Sequence, residues 1–339
     1  MEDEHATVDS AITDFFLRSG LTSQARHECF GLIERLYPGK SARPASSQGY
    51  CSLTVFVGGD TVVQFRPYNY RLDLRLTSMA RDVYGKFAPE TKYITTLPAS
   101  GLLVYSMRRI EGISFKDFVT SKSLISSSTY YRANLCRDFA AFLARSWKES
   151  SNQSLPLGNV GKTIVTRLRA LIAGLPLRFR PATRKVILNM HRIEALPWVL
   201  THGDIVAGNI MVEPATGRLT GLVDWAEAER LPFGICLYGL EELLGEMSPS
   251  GFQYRRDAGR LRAIFWTELR NAISDLEQDH VLEAVTLSRD LGVLLWHGIA
   301  FDDGAIDRVV QEGRDVEEIH RLDAFLNTES SAFSRSSKI

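Results

Sequence analysis

At roughly 100–200 residues per domain, a chain of 339 residues has room for about two domains, and 45% apolar and 24% charged residues place it among soluble globular proteins rather than disordered, fibrous or coiled-coil chains. Lysine plus arginine number 40 and aspartate plus glutamate number 40, so no overall positive field draws it to a polyanion, and neither nucleic acid nor membrane is expected as a partner. The acidic start, Met1-Glu-Asp-Glu-His5, lacks the basic region and apolar stretch of a secretory signal. Runs such as Leu291-Gly-Val-Leu-Leu-Trp296 fall far short of the ~20 residues of a membrane helix, and a cytoplasmic location is expected. Cys29, Cys51, Cys136 and Cys236 form no CxxC pair and read as reduced thiols.

Apolar residues at three- and four-residue spacing predict helices over 7–18 and 22–37. The β-branched runs 51–57 and 61–66 flank Gly58-Gly-Asp60 and predict a hairpin. Helical spacing returns over 70–84, and two further strands are expected over 93–97 and 102–110, about the turn Pro98-Ala-Ser-Gly101. From Phe115 onward helices dominate, at 132–149, 162–175, 183–194, 233–245, 255–274, 279–301, 305–312 and 316–327. One short β segment, 209–224, interrupts them, and the serine-rich 328–339 reads as a frayed tail.

The informative stretch runs from Leu200 to Trp225. Its two apolar runs, 210–212 and 219–223, flank the turn-forming Pro214-Ala-Thr-Gly217 and pair as an antiparallel hairpin. With Glu213 opposite Arg218 and no bulge, Asn209 falls opposite Leu222, and Asp224 lies on the same face one diagonal step away, at about 7–8 Å. An amide oxygen and a carboxylate so placed can share one hard cation. Magnesium suits them, because it takes few protein oxygens and completes its shell with phosphates and water. Asp204 lies five residues before Asn209 in a loop opened by His202-Gly203, where a carboxylate can accept a hydrogen bond from a substrate hydroxyl. H-x-D-x-x-x-x-N followed by a metal-binding aspartate is the spacing used for phosphoryl transfer from ATP.

Together, His202-Gly-Asp204, Asn209 and Asp224-Trp225 resemble the aminoglycoside phosphotransferase and choline kinase-like family, which shares the protein-kinase fold. Ala226-Glu-Ala-Glu-Arg-Leu-Pro-Phe-Gly234 and Leu237-Tyr-Gly-Leu-Glu241 are most similar to its fungal members, and the resemblance extends from about Gln48 to Leu326. It implies an α+β, two-lobed protein-kinase-like fold with a small mixed N-lobe and a larger, mainly helical C-lobe. The implied divisions are a helical extension over 1–45, the N-lobe over 46–110, and the C-lobe with catalytic loop and substrate site over 111–327. ATP and magnesium are the implied cofactors, with Asp204 as catalytic base or substrate-orienting carboxylate, His202 holding the catalytic loop, and Asn209 and Asp224 as magnesium ligands at the nucleotide. Arg66, in Val63-Gln-Phe-Arg66, takes the place of the phosphate-contacting lysine; the plainer alternative is an edge-strand arginine in solvent. Its acidic partner is expected at Asp73 in preference to Asp82, since that helix offers no glutamate. Ser46 and Gln48, in Ser46-Ser-Gln-Gly-Tyr50, occupy the place of a phosphate-covering loop, the plainer alternative being a polar entry loop, and Met107, within 105–112, occupies that of the adenine-contacting linker.

The implied activity is ATP- and magnesium-dependent phosphorylation of a hydroxyl on a small metabolite. The acceptor stays open. A cationic one would want a carboxylate-rich pocket, for which Glu227, Glu229, Glu241, Glu242, Asp302 and Asp303 lie in suitable segments. Arg66 and the missing helix glutamate also admit a pseudokinase that binds nucleotide or a partner, or a biosynthetic enzyme using the cleft for other chemistry. Trp266, Trp296, Phe301 and His297 fall at core spacing.

Overall fold

The chain opens with two helices, α1 (Glu2–Arg18) and α2 (Ser23–Leu36), and the computed structural model shows what their apolar stripes cover. Ile12, Phe15 and Phe16 of α1 and Ala25, Cys29, Leu32 and Ile33 of α2 share one core with Leu53, Val55, Val57, Val63, Phe65 and Val104 of a sheet. The structure describes residues 2–46, 48–122, 128–150, 156–302 and 305–327; the expected tail at 328–339 lies outside them. Two units are distinguished, Met1–Ile110 and Glu111–Ile339.

In the first unit the helices are followed by β1 (Ala42–Pro44), β2 (Leu53–Val57), β3 (Thr61–Arg66), α3 (Leu74–Tyr84), β4 (Thr91–Thr96) and β5 (Leu103–Arg108). The strands form one antiparallel sheet in the order β1-β2-β3-β5-β4. Alternation turns Leu53, Val55 and Val57 inward, and Gly58, at φ +60°, turns the β2–β3 hairpin. Helix α3 begins four residues later than its apolar spacing predicts, because Asp73 caps it by accepting from the Arg75 amide at 2.9 Å.

The second unit begins with β6 (Ile113–Ser114), α4 (Phe115–Lys122), α5 (Ser128–Lys148), α6 (Asn159–Gly174), α7 (Arg180–Leu188) and α8 (Met190–Glu194). Four short strands follow, β7 (Trp198–Thr201), β8 (Ile210–Val212), β9 (Leu219–Leu222) and β10 (Glu229–Pro232). Then come α9 (Tyr238–Leu244), β11 (Gly245–Ser248), β12 (Gly251–Tyr254), α10 (Ala258–Ala272), α11 (Asp279–His297), β13 (Ile299–Asp302), β14 (Ala305–Val309) and α12 (Val316–Leu326). Phe139 on α5 packs on Phe265 of α10 at 6.0 Å, and Phe142 packs on Trp225 at 6.4 Å, which anchors the segment after β9 to the helical core. Trp266 and His297 are buried, as core spacing predicts.

Three expectations are corrected. The helix expected over 305–312 is strand β14, paired with β13, and the preceding helix stops at His297 because Gly298 caps it. The single helix over 183–194 is broken at Asn189, whose Nδ2 donates to the Lys185 carbonyl at 2.8 Å and competes with the helical ladder. The β8–β9 register differs from an unbulged hairpin. Ile210 faces Leu222 and Met211 faces Gly221, but Val212 faces Leu219, so Thr220 is an extra residue whose hydroxyl donates to the Glu111 carbonyl at 2.6 Å. Asn209 therefore stands against Val223, whose amide donates to the Asn209 carbonyl at 3.0 Å.

Candidate active site

Strand β7 delivers the chain into His202-Gly203-Asp204, and β9 delivers it into Asp224; β7 and β10 pair with Thr201 against Glu229. The two segments are tied through a buried histidine. His202 Nε2 donates to the Val223 carbonyl at 2.8 Å, while Nδ1 accepts from the Asp204 amide at 3.2 Å, a pattern that assigns the proton to Nε2. Burial lowers the pKa of His202 to about 4, so at neutral pH the ring is an uncharged brace rather than a proton donor. The ring meets Trp225 in an edge-to-face contact, with centroids 4.7 Å apart. Gly203 adopts φ +81°, and a Cβ there would fall 1.9 Å from the Glu227 carbonyl oxygen, which makes glycine obligatory at this close approach.

Asp204 Oδ2 accepts from Asn209 Nδ2 at 2.8 Å, and the same amide nitrogen donates to the Asp204 carbonyl at 3.0 Å. With Nδ2 so engaged, Oδ1 of Asn209 is the oxygen left for another ligand. The Asp204 pKa is raised to about 6, first by burial and then by the charge of Asp224, with smaller contributions from Glu227 and Glu242, against the hydrogen bond from Asn209. Among the described residues Asp224 is the non-glycine residue with a positive φ, at +60°. A left-handed backbone costs an L-residue about 1–2 kcal/mol, and such strain collects at functional sites.

A buried tyrosine completes the loop's support. The Tyr238 hydroxyl accepts from the Ile205 amide at 2.9 Å, and its ring stacks on Trp296 at 5.2 Å. Neither periodicity nor spacing marks Tyr238 in the sequence, because the contact bridges two segments far apart in the chain. Tyr238→Phe leaves the Ile205 amide buried without an acceptor, so the variant is expected to lose about 1–3 kcal/mol in denaturant unfolding.

The residues singled out in the first unit form a chain of contacts on its sheet. Arg66 is only 2% exposed on β3, a central strand, which removes the reading of a solvent-facing edge arginine. Its Nε donates to Gln64 Oε1 at 2.9 Å and its Nη1 to the Tyr70 carbonyl at 3.3 Å. Gln64 reaches Thr54 Oγ1, and the Thr54 amide donates to Gln48 Oε1 at 2.8 Å. Gln48 Nε2 donates to the Ala45 and Thr54 carbonyls, so this side chain fixes the loop before β2. Ser46 is exposed in that loop and Met107 half-buried on β5. The Asp73 carboxylate holds the Arg75 amide and guanidinium, which gives it a helix-capping role where an Arg66 partner was expected.

Of the acidic candidates for an acceptor pocket, three have internal partners. Glu229 accepts from the Val160 and Gly161 amides in the first turn of α6, and Glu241 is enclosed by Arg262, Arg289 and Tyr254. Glu242 pairs with Arg321 at 2.9 Å, yet burial keeps its pKa above the ordinary value. Glu227 is exposed, Asp302 falls on β13, and Asp303 lies outside the described residues. Among the described residues no three His, Cys, Asp or Glu side chains converge on a metal position. Asn209 and Asp224 offer two hard oxygens beside surplus negative charge, a donor set that fits magnesium completed by phosphate and water rather than a closed zinc-type site.

A five-stranded antiparallel sheet in one unit, and in the other a helical frame in which His202 and Asp204 follow β7 while Asn209 and Asp224 flank the β8–β9 hairpin, define a protein-kinase-like fold. The chain belongs to the Phosphotransferase enzyme family, whose sequence model matches residues 49–233, over half of its 339 residues. Among solved structures it is similar to a mutant of aminoglycoside 2'-phosphotransferase-IIIa in complex with GDP, at 14% identity and TM-score 0.50, over 79% of this chain and 97% of that one. It is also similar to aminoglycoside phosphotransferase APH(3'')-Id from Streptomyces rimosus ATCC10970 in complex with ADP and streptomycin, at 15% identity and TM-score 0.46, over 78% and 97% of the two chains. No curated protein matches it.

Proposed function

We propose that the protein transfers the γ-phosphoryl group of ATP to a hydroxyl of a small molecule. Membership of a phosphotransferase family supports the reaction class. The observation that carries the reading to a hydroxyl acceptor is Asp204, a carboxylate raised to about 6 and held by Asn209, since a base with a pKa near the working pH is the group such a step needs. In the proposed step the acceptor hydroxyl gives its proton to Asp204 as its oxygen bonds the γ-phosphorus; the terminal phosphoanhydride bond breaks and ADP leaves. Asn209 fixes Oδ2 of Asp204, leaving Oδ1 to receive the proton, while His202 and Tyr238 hold the backbone on which that geometry depends. Asn209 Oδ1 and Asp224 are assigned to magnesium, which when bound neutralises the charge of the phosphates. Arg66 is assigned to phosphate, Ser46 to the loop over it and Met107 to the adenine strand, with Gln48 shaping that loop from beneath.

Calorimetric titration with ATP, with and without magnesium, tests the reading on the native protein and on Asp224→Ala. Magnesium-dependent binding is expected, at least tenfold weaker in the variant. Absence of nucleotide binding under either condition overturns the proposal. Binding without any acceptor gaining the mass of one phosphoryl group, over a panel of hydroxylated metabolites, returns the chain to the nucleotide-binding pseudokinase that the missing helix glutamate admits.

A further inference from the structure

The even balance of charge conceals a one-signed segment. Residues 150–193 contain eight lysines and arginines and no aspartate or glutamate. This stretch includes α6 and α7, which pack on each other. Their inner faces are buried through Ile164, Leu168 and Leu171 on α6 and through Thr183 and Val186 on α7. Their outer faces follow the same helical spacing: Lys162, Val165 and Arg169 on α6, and Arg184, Lys185 and Leu188 on α7, are all exposed.

Two features set this surface apart from an ordinary solvated face. Leu177, in the turn between the helices, is 76% exposed and Leu188 is 75% exposed, the largest exposures among the large apolar residues described, and Val165 adds 47%. Secondly, apart from Arg167 and Arg180, which are half-buried and donate to Thr163 and to the Leu175 and Ala173 carbonyls, the cations divide into two groups. Arg178 is held by Asp323 and Glu312, and Arg192 by Glu283, whereas Lys162, Arg169, Arg184 and Lys185 pair with no carboxylate among the described residues.

We propose that the outer faces of α6 and α7, with Leu177 between them, dock the protein on an anionic lipid surface. The basic side chains match a negatively charged headgroup layer, and the aliphatic side chains are placed to enter the boundary beneath it. A protein partner would be met by both signs of charge, which set register across such interfaces; here the outer faces of α6 and α7 carry one sign, and the carboxylates of Glu312, Asp323 and Glu283 stand at their margin against Arg178 and Arg192. A nucleic acid would be met by exposed aromatic rings for stacking, but Phe179, the aromatic residue of the segment, is buried. No helix among the described residues is long and apolar enough to cross a membrane, so the contact is peripheral. Net charge averages this feature away, which is why composition alone argues against a membrane partner.

Co-sedimentation of the full chain with phosphatidylcholine vesicles, with and without phosphatidylserine, tests the proposal. Binding is expected on the phosphatidylserine vesicles only and should weaken as salt is raised. At about fivefold per basic residue near such a surface, Arg184→Gln with Lys185→Gln should weaken binding at least twentyfold. Leu177→Ser with Leu188→Ser should weaken it as well, and both variants should melt like the native protein because the sites are exposed. Failure to bind phosphatidylserine vesicles overturns the proposal, as does equal binding to both compositions. Undiminished binding of the leucine variant, together with retention on heparin lost in the Gln variant, reassigns the face to an acidic polymer and overturns the lipid assignment.

Discussion

Asp204→Asn is expected to lower turnover by about a thousandfold, the range associated with removing a general base, while making the protein more stable at neutral pH. Both effects follow from the same burial. In the folded chain the Asp204 carboxyl is raised to about 6 from an ordinary 3.8, because it is half-buried beside the charge of Asp224. A carboxyl whose folded pKa is raised contributes stability that is fully present below the unfolded value and is lost as pH climbs through the folded one. Above about pH 6 the native protein therefore carries a penalty that asparagine, which never ionises, avoids. Two pKa units correspond to at most about 3 kcal/mol, and about 1–3 kcal/mol is expected, since asparagine keeps an oxygen for Asn209 Nδ2. Thermal melts in the presence of a chelator should show Asp204→Asn a few degrees above the native protein at pH 8 and level with it near pH 4. A variant that is inactive and also less stable at pH 8 would remove the raised-pKa account of this carboxylate.

The residues of this loop were legible in the sequence because their geometry is local. His202, Asp204 and Asn209 lie within eight residues and are bonded to one another, so spacing carries most of the constellation. The position of Asp224 was less legible. A hairpin without a bulge sets Asn209 against Leu222, whereas Thr220 takes an extra place in β9 so that its hydroxyl can reach Glu111, a partner distant in the chain. Long-range partners explain the other gaps too. Arg66 sits on a strand whose central place in the sheet depends on β5, and Tyr238 supports the loop from a helix that periodicity treats as core. The residues over 305–312 carry an apolar spacing compatible with a helix, but pairing with β13 fixes the extended form. For α1 and α2 the helical period was plain, while the sheet face they cover could be known only from the folded unit.

Gly203→Ala should be the most damaging single methyl addition in the loop between β7 and β8, and Gly208→Ala, five residues on, should be almost silent. At Gly203 two penalties act together. The backbone stands at φ +81°, where an L-side chain costs about 1–2 kcal/mol. The new Cβ would also lie 1.9 Å from the Glu227 carbonyl oxygen and 2.5 Å from its carbon, which are backbone atoms that cannot swing aside like the end of a flexible side chain. Relief requires the 202–204 segment to separate from 225–227. That movement would pull on the His202 bond to Val223 and disturb the placement of Asp204 relative to Asp224. A loss of about 2–5 kcal/mol is expected, combining left-handed strain with an overpacking cost of 1–3 kcal/mol, and activity should fall even in the fraction that folds. At Gly208 a Cβ meets nothing within 4 Å and φ is not in the left-handed region, so Gly208→Ala should change stability by no more than about 0.5 kcal/mol. Denaturant unfolding and turnover measured on the two variants side by side separate the need for a small residue at one point from general intolerance of the loop. Equal behaviour of the two would mean that the contact between Gly203 and Glu227 does not hold the site together.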